Sequence, residues 1–353
     1  MLLAGLLLAG CASQPPRLED RHLLAHVELD DGAARIYYRD LPRATASTLL
    51  GEVADVRSQL TGELGFTPPR AELVVYPSEG DAKSVRETRC ELTRDSAGRG
   101  RWVIVFAYPL EDDRSSLLGT TGHEMAEAVV LLRVTVIDPY LRWIHDGVAE
   151  LTEQRVLARC ARRSALANLR QARRFLEERL AAGEEWADLG RWRQLAPWIV
   201  RSHRFLGPNQ ANLSLNDIPG AVARVRQAKA LDPELAGGLS ELEAMLLRAD
   251  GISQRGWAPG EARGDDPDTR DFLLYTLSFA VWLEIERSTP GATRAFLSAL
   301  EARRAAGDHV LSAAEGLALV REACPQLPPV ERYPLARALA VLEAEEQRLR
   351  GAE

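Results

Sequence analysis

The chain has no excess of positive charge. Its formal net charge of -7 leaves no basic footprint for a nucleic-acid partner, and the preference for arginine over lysine reads as genome composition. Cysteine is scarce, four residues with none in a Cys-x-x-Cys spacing, so the sequence offers no thiolate metal site. If Cys11 is set aside, Cys90, Cys160 and Cys324 allow at most one intramolecular bridge, and all three read as buried or incidental. Histidine is also sparse, and His22, His26, His203 and His309 have no ligand spacing. The apolar run from Leu2 to Ala9 is too short to span a bilayer as a mature helix.

That run leads into Leu8-Ala9-Gly10-Cys11-Ala12-Ser13, the small-residue ending of an export signal. The Leu-Ala-Gly-Cys tetrad resembles a bacterial lipobox. The resemblance implies lipidation of Cys11 and a membrane anchor facing the periplasm or the exterior. An ordinary signal peptide that happens to contain a cysteine is the alternative. No Lys or Arg precedes the run, where such signals carry their basic residues. Residues 1–11 are therefore assigned to the signal, and residues 12–26, polar with Pro15-Pro16, to a tether.

The rest is predicted to be α+β and predominantly helical. Val27 to Leu29 and Ala34 to Tyr38 flank Asp30-Asp31-Gly32, a hairpin signal. Ala44 to Leu64 carries apolar residues at Leu49, Val53, Val56 and Leu60 and stops at Gly65, as a helix does. Strands are expected at Ala71 to Pro77 and Trp102 to Tyr108, with a short helix near Gly80 to Arg86. After Ser115 the pattern is helix after helix: Ser164 to Ala182, Ile218 to Asp250, Thr269 to Arg287, Thr293 to Ala305, Leu311 to Ala323 and Val330 to Leu349. Gly251 to Asp268 reads as a loop. The expected units are an α/β layer with site helices at 27–155, a helical insertion and loop at 156–268, and closing helices at 269–353.

Chemistry concentrates in two phrases. In Thr121-Gly122-His123-Glu124-Met125-Ala126-Glu127, His123 and Glu127 are four apart and share one helix face. Glu124 stands beside the first candidate ligand, where a general base belongs. In Trp143-Ile144-His145-Asp146-Gly147-Val148-Ala149, a second helix follows Asp138-Pro139, and eighteen residues separate Glu127 from Asp146. Together the phrases resemble the gluzincin metallopeptidases, the aminopeptidase N group and peptidase MA-like domains. Those have His-Glu-x-x-His and, eighteen residues later, a Glu within Trp-x-x-Glu-Gly-x-Ala.

The resemblance implies a zincin-like fold, metal ligands at His123, Glu127 and Asp146, and Glu124 as the base acting on a peptide or protein substrate. A third phrase, Leu274-Tyr275 with the apolar helix after it, resembles the late helix of these domains. It implies that Tyr275 faces the oxyanion; a core tyrosine is the alternative. Two positions depart from the family: Glu127 stands for a histidine and Asp146 for a glutamate. One imidazole and two carboxylates leave a divalent ion neutral, so bound water is acidified less. That set also suits Mn²⁺ or Fe²⁺ better than the usual zinc set does. His145 lies about 100° round the helix from Asp146 and is the weaker ligand candidate. Three functions stay open: an active peptidase, a pseudopeptidase serving as a binding or scaffold lipoprotein, and a helical structural lipoprotein.

Overall fold

The computed structural model describes residues 18–77, 87–94, 100–110, 114–134, 136–137, 141–189, 198–200, 213–215, 218–231, 240, 242–248, 267–308 and 310–351. The expectations for Cys11, the helix near Gly80 to Arg86, the loop from Gly251, His203 and His309 fall outside these residues. The chain is predominantly helical with a small mixed sheet. Among the described residues, no helix is long and apolar enough to cross a membrane.

The expected hairpin is present as β1 (Ala25–Glu28) and β2 (Ala34–Tyr38), paired antiparallel with Glu28 opposite Arg35. Gly32 takes φ 65°, and Asp31 Oδ1 accepts from the Ala33 amide at 2.8 Å. Asp therefore closes the turn with its side chain while Gly supplies the left-handed backbone. Part of the expected tether is structured: Leu18–Leu23 form a 3-10 turn, and Arg21 pairs with Glu72 of the sheet at 2.9 Å.

Helix α1 (Arg43–Leu64) buries Leu49, Val53, Val56 and Leu60, the residues its spacing singled out, and ends at Gly65 with φ 75°. It is followed by β3 (Arg70–Pro77), β4 (Glu87–Arg94) and β5 (Gly100–Leu110). The strand order is β1-β2-β3-β5-β4, parallel from β2 through β3 to β5 and antiparallel at both edges. Ile36, Leu73 and Val75 join the main core with α1, whereas Tyr37, Val74, Tyr76 and Val105 form a smaller cluster. The edge strand β4 was not expected. Its sequence, Glu-Thr-Arg-Cys-Glu-Leu-Thr-Arg, is charged like a loop, a composition that edge strands also carry to discourage further pairing.

The helical part consists of α2 (Ser115–Leu131), α3 (Arg142–Cys160), α4 (Arg162–Ala181), α5 (Ile218–Leu231), α6 (Pro267–Ser288), α7 (Ala292–Ala305), α8 (Ala313–Ala323) and α9 (Leu335–Gly351). The expectation of helices alone after Ser115 is corrected by short strands. β6 (Val136–Ile137), β8 (Trp198–Val200), β9 (Leu213–Leu215) and β10 (Val310–Leu311) form one sheet in the order β10-β6-β8-β9; β7 (Trp186–Ala187) pairs with β11 (Tyr333–Pro334). Two or three residues are too few to display a period of two, so no pattern in the sequence marks them. Among the described residues Cys160 is exposed and Cys324 buried.

Two glycines set the helix spacing that matters below. A Cβ on Gly122 of α2 would lie 2.9 Å from Val156 of α3. A Cβ on Gly147 of α3 would lie 2.0 Å from the Trp282 ring and 2.7 Å from the Ser278 carbonyl of α6. Helix α3 is thus clasped between α2 and α6, with its own Trp143 and Trp282 of α6 fully buried.

Candidate metal centre

On α2 the residues left partly exposed are Ser116, Thr120, His123, Glu124 and Glu127, a single stripe at helical spacing. Leu117, Leu118, Met125, Ala126 and Val129 bury the opposite side. On α3 the matching face carries Arg142, Glu150 and Glu153, partly exposed, with the buried Asp146 between them, four, four and three residues apart in turn. The close α2–α3 approach at Gly122 sets the two stripes against each other.

His123, Glu127 and Asp146 meet there: each offers a ligand atom, and these atoms lie within 4.8 Å of one another. Points on a triangle of that side are at most about 2.8 Å from its centre, so each donor needs to move by well under ~1 Å to reach zinc distances of about 2.0–2.2 Å. Glu124 shares the α2 stripe. Tyr275 joins through an arginine that the sequence reading did not single out. Arg142 donates from Nε to Asp146 Oδ2 at 2.9 Å and from Nη2 to Tyr275 Oη at 2.9 Å.

Glu150 and Glu153 were missed as well. The Nδ1 of His123 lies 3.2 Å from Glu153 Oε2 and 3.5 Å from Glu150 Oε1, and this trio is a second group with metal-ligand spacing. Carboxylates behind a ligand histidine fix its ring and raise its basicity. Their position four and seven residues after Asp146 was the available signal, since it continues the same helix face. His145 also stands at this cluster. It is buried, with Nδ1 3.4 Å from Glu127 Oε1 and 3.4 Å from Asp146 Oδ1. The 100° offset from Asp146 points it into the groove against α2, where Glu127 stands.

The electrostatics are those of a crowd of acids. Burial lowers the His123 pKa, but the bond to Glu153 and the charges of Glu150, Glu153 and Glu127 outweigh it and push the imidazole up to about 10. Burial lifts Glu150 to about 8, aided by Glu153 and Asp146 and opposed by His123. Burial also raises Asp146, with Glu127 adding to the rise and His145 and Arg142 opposing it. The residues present fit a divalent cation: Asp146 is buried, four carboxylates converge, and both ring nitrogens of His145 are buried without a hydrogen bond. Beside the cluster a cleft of about 270 Å³ is lined by Glu150, Glu153, Asn168, Phe272, Tyr275 and Phe279.

Of the other histidines, His26 packs its ring on Tyr37 in the sheet, away from this centre. No family model matches the chain, and no curated protein matches it.

Proposed function

We propose that this chain is a lipid-anchored, metallopeptidase-like protein of the cell envelope, with a zincin-like fold of the gluzincin kind, that hydrolyses peptide bonds in peptide or protein substrates. The observation that carries the reading is the convergence of His123, Glu127 and Asp146, from two helices and across the gluzincin interval, within 4.8 Å of one another. The anchor rests on the tetrad ending at Cys11.

His123, Glu127 and Asp146 would hold the ion, zinc or a harder Mn²⁺ or Fe²⁺. When bound, it supplies a Lewis acid that polarises the scissile carbonyl and acidifies water. Glu124, adjacent to His123, takes the proton from the attacking water and delivers it to the leaving amine. Tyr275 hydrogen-bonds the oxyanion, and Arg142 positions both Tyr275 and Asp146. The neighbouring cleft, with Phe272 and Phe279 in its wall, receives substrate side chains next to the scissile bond.

A second reading, an inactive pseudopeptidase serving as a binding or scaffold lipoprotein, draws on one observation. Arg142 occupies Asp146 Oδ2, and Glu127 stands where a second imidazole is expected. Metal content and peptidase activity of the wild type, Glu124→Gln and Glu127→His separate the two. The peptidase reading expects one bound ion in the wild type, no turnover with the ion retained in Glu124→Gln, and tighter zinc in Glu127→His. A metal-free wild type, with Glu124→Gln equivalent to it in the cell, leaves the scaffold reading. Release of Cys11→Ala from the membrane fraction checks the anchor.

A further inference from the structure

The three-residue ligand set leaves one group at this centre unexplained. His145 is 3% exposed, and neither Nδ1 nor Nε2 makes a hydrogen bond. A buried polar atom without a partner costs about 1–3 kcal/mol, so such a ring persists where something else engages it. Its Nδ1 lies 3.4 Å from Glu127 Oε1 and 3.4 Å from Asp146 Oδ1. These separations exceed the 2.7–3.2 Å range of N–H···O bonds. Taken pair by pair they equal the spacing of two donors at about 2.0–2.1 Å from one ion, about 3.3–3.4 Å. They place His145 beside the trio of His123, Glu127 and Asp146, which gathers within 4.8 Å without it.

We infer that His145 is a further protein ligand of the divalent ion, bound through Nδ1. The inference rests on the metal-centre reading and extends it. On this account the second imidazole of the site has not been lost. It has moved from α2, where Glu127 now stands, to α3, one residue before Asp146. The donor set becomes two imidazoles and two carboxylates, His123, His145, Glu127 and Asp146. Four protein donors close a tetrahedral zinc site. Hydrolysis at this centre therefore calls for an ion of higher coordination number, and Mn²⁺ or Fe²⁺ meets that need.

The test counts imidazoles. Full-length protein is stripped with chelator and reloaded with one equivalent of Zn²⁺, and X-ray absorption at the zinc edge gives the number of histidine scatterers. Two are expected in the wild type and one in His145→Gln. Zinc affinity of His145→Gln is expected to fall by more than about 100-fold, the upper end for an outer-shell partner. A wild-type ion carrying one imidazole, or His145→Gln binding zinc as tightly as wild type, overturns the assignment and leaves the metal centre standing. A wild type that takes up no zinc overturns the metal centre itself and this ligand with it. Should His145→Gln fail to fold by circular dichroism, the wild-type count decides: two imidazoles, or the single one that His123 supplies.

Discussion

At the contact of α4 with α9 the carboxylate of Glu346 is 2% exposed and receives Arg170 at 2.9 Å, Arg173 at 2.5 Å and Arg350. At the contact of α2 with α3, Glu127, Asp146, Glu150 and Glu153 face two imidazoles and the guanidinium of Arg142. Both place carboxyl groups at helix–helix contacts, yet arginines outnumber the carboxylate at the first, whereas carboxyl groups outnumber the basic side chains at the second. Arginine forks close a carboxylate geometrically and electrically, so the α4–α9 cluster fastens two helices. Imidazoles with acids left over form the setting in which a cation from solution has work to do.

The largest expected effect tests whether α3 must be clasped for the second cluster to exist. Gly147→Ala puts a methyl 2.0 Å from the Trp282 ring. Overpacking of this kind costs about 1–3 kcal/mol and occasionally more. It should lower the denaturant midpoint and weaken ion binding together, because Asp146 is the neighbouring residue. An unchanged midpoint and affinity would show that the α3–α6 contact does not position the site.

A smaller effect compares the clusters directly, in chelator so that no ion contributes. Glu346→Ala leaves three arginines without their shared carboxylate and should cost about 1–3 kcal/mol. Glu150→Gln replaces a carboxyl that burial already lifts to about 8, so at neutral pH it should be neutral or stabilising by up to about 1 kcal/mol. If the two variants lose stability equally, the distinction between a saturated and an under-neutralised cluster fails.

The smallest effect sharpens the saturated side. Glu315 closes a capping box with Ser312 at the start of α8. Partial burial would raise its carboxyl, but bonds from the Ser312 side chain and amide and from Arg303 prevail and hold it at about 2. A depressed folded pKa contributes stability above the ordinary glutamate range near 4.5, and that contribution is lost as pH falls through about 2. Glu315→Gln should therefore cost about 0.5–1 kcal/mol at pH 7, the scale of one capping contact, and much less near pH 2. Denaturation midpoints at the two pH values check the sign.

The fold was legible where a helix or strand is long enough to repeat its pattern. Leu49, Val53, Val56 and Leu60 marked the buried face of α1 by their helical period, and Ala71 to Pro77 marked β3 by a short continuous apolar run. The charged edge strand β4 and the two-residue strands β6, β7, β10 and β11 show no such pattern. They exist because a neighbouring strand offers its backbone. The site was legible in the same partial way, since the three expected ligands do meet, while Arg142, Glu150 and Glu153 were not singled out.

The sequence by itself determined the pairing of His123 with Glu127 one helical turn apart, the position of Glu124 beside them, and the interval that returns Asp146 on a second helix with Gly147 next to it. Spacing within one helix decides which side chains share a face, and that arithmetic needs no partner. Only the tertiary structure decided that His145 turns toward Glu127, that Glu150 and Glu153 stand behind His123, and that Arg142 links Asp146 to Tyr275 of α6. Those contacts cross between helices, so they depend on how closely α2, α3 and α6 approach and at what rotation. The volumes meeting at Gly122, Gly147, Val156 and Trp282 set both.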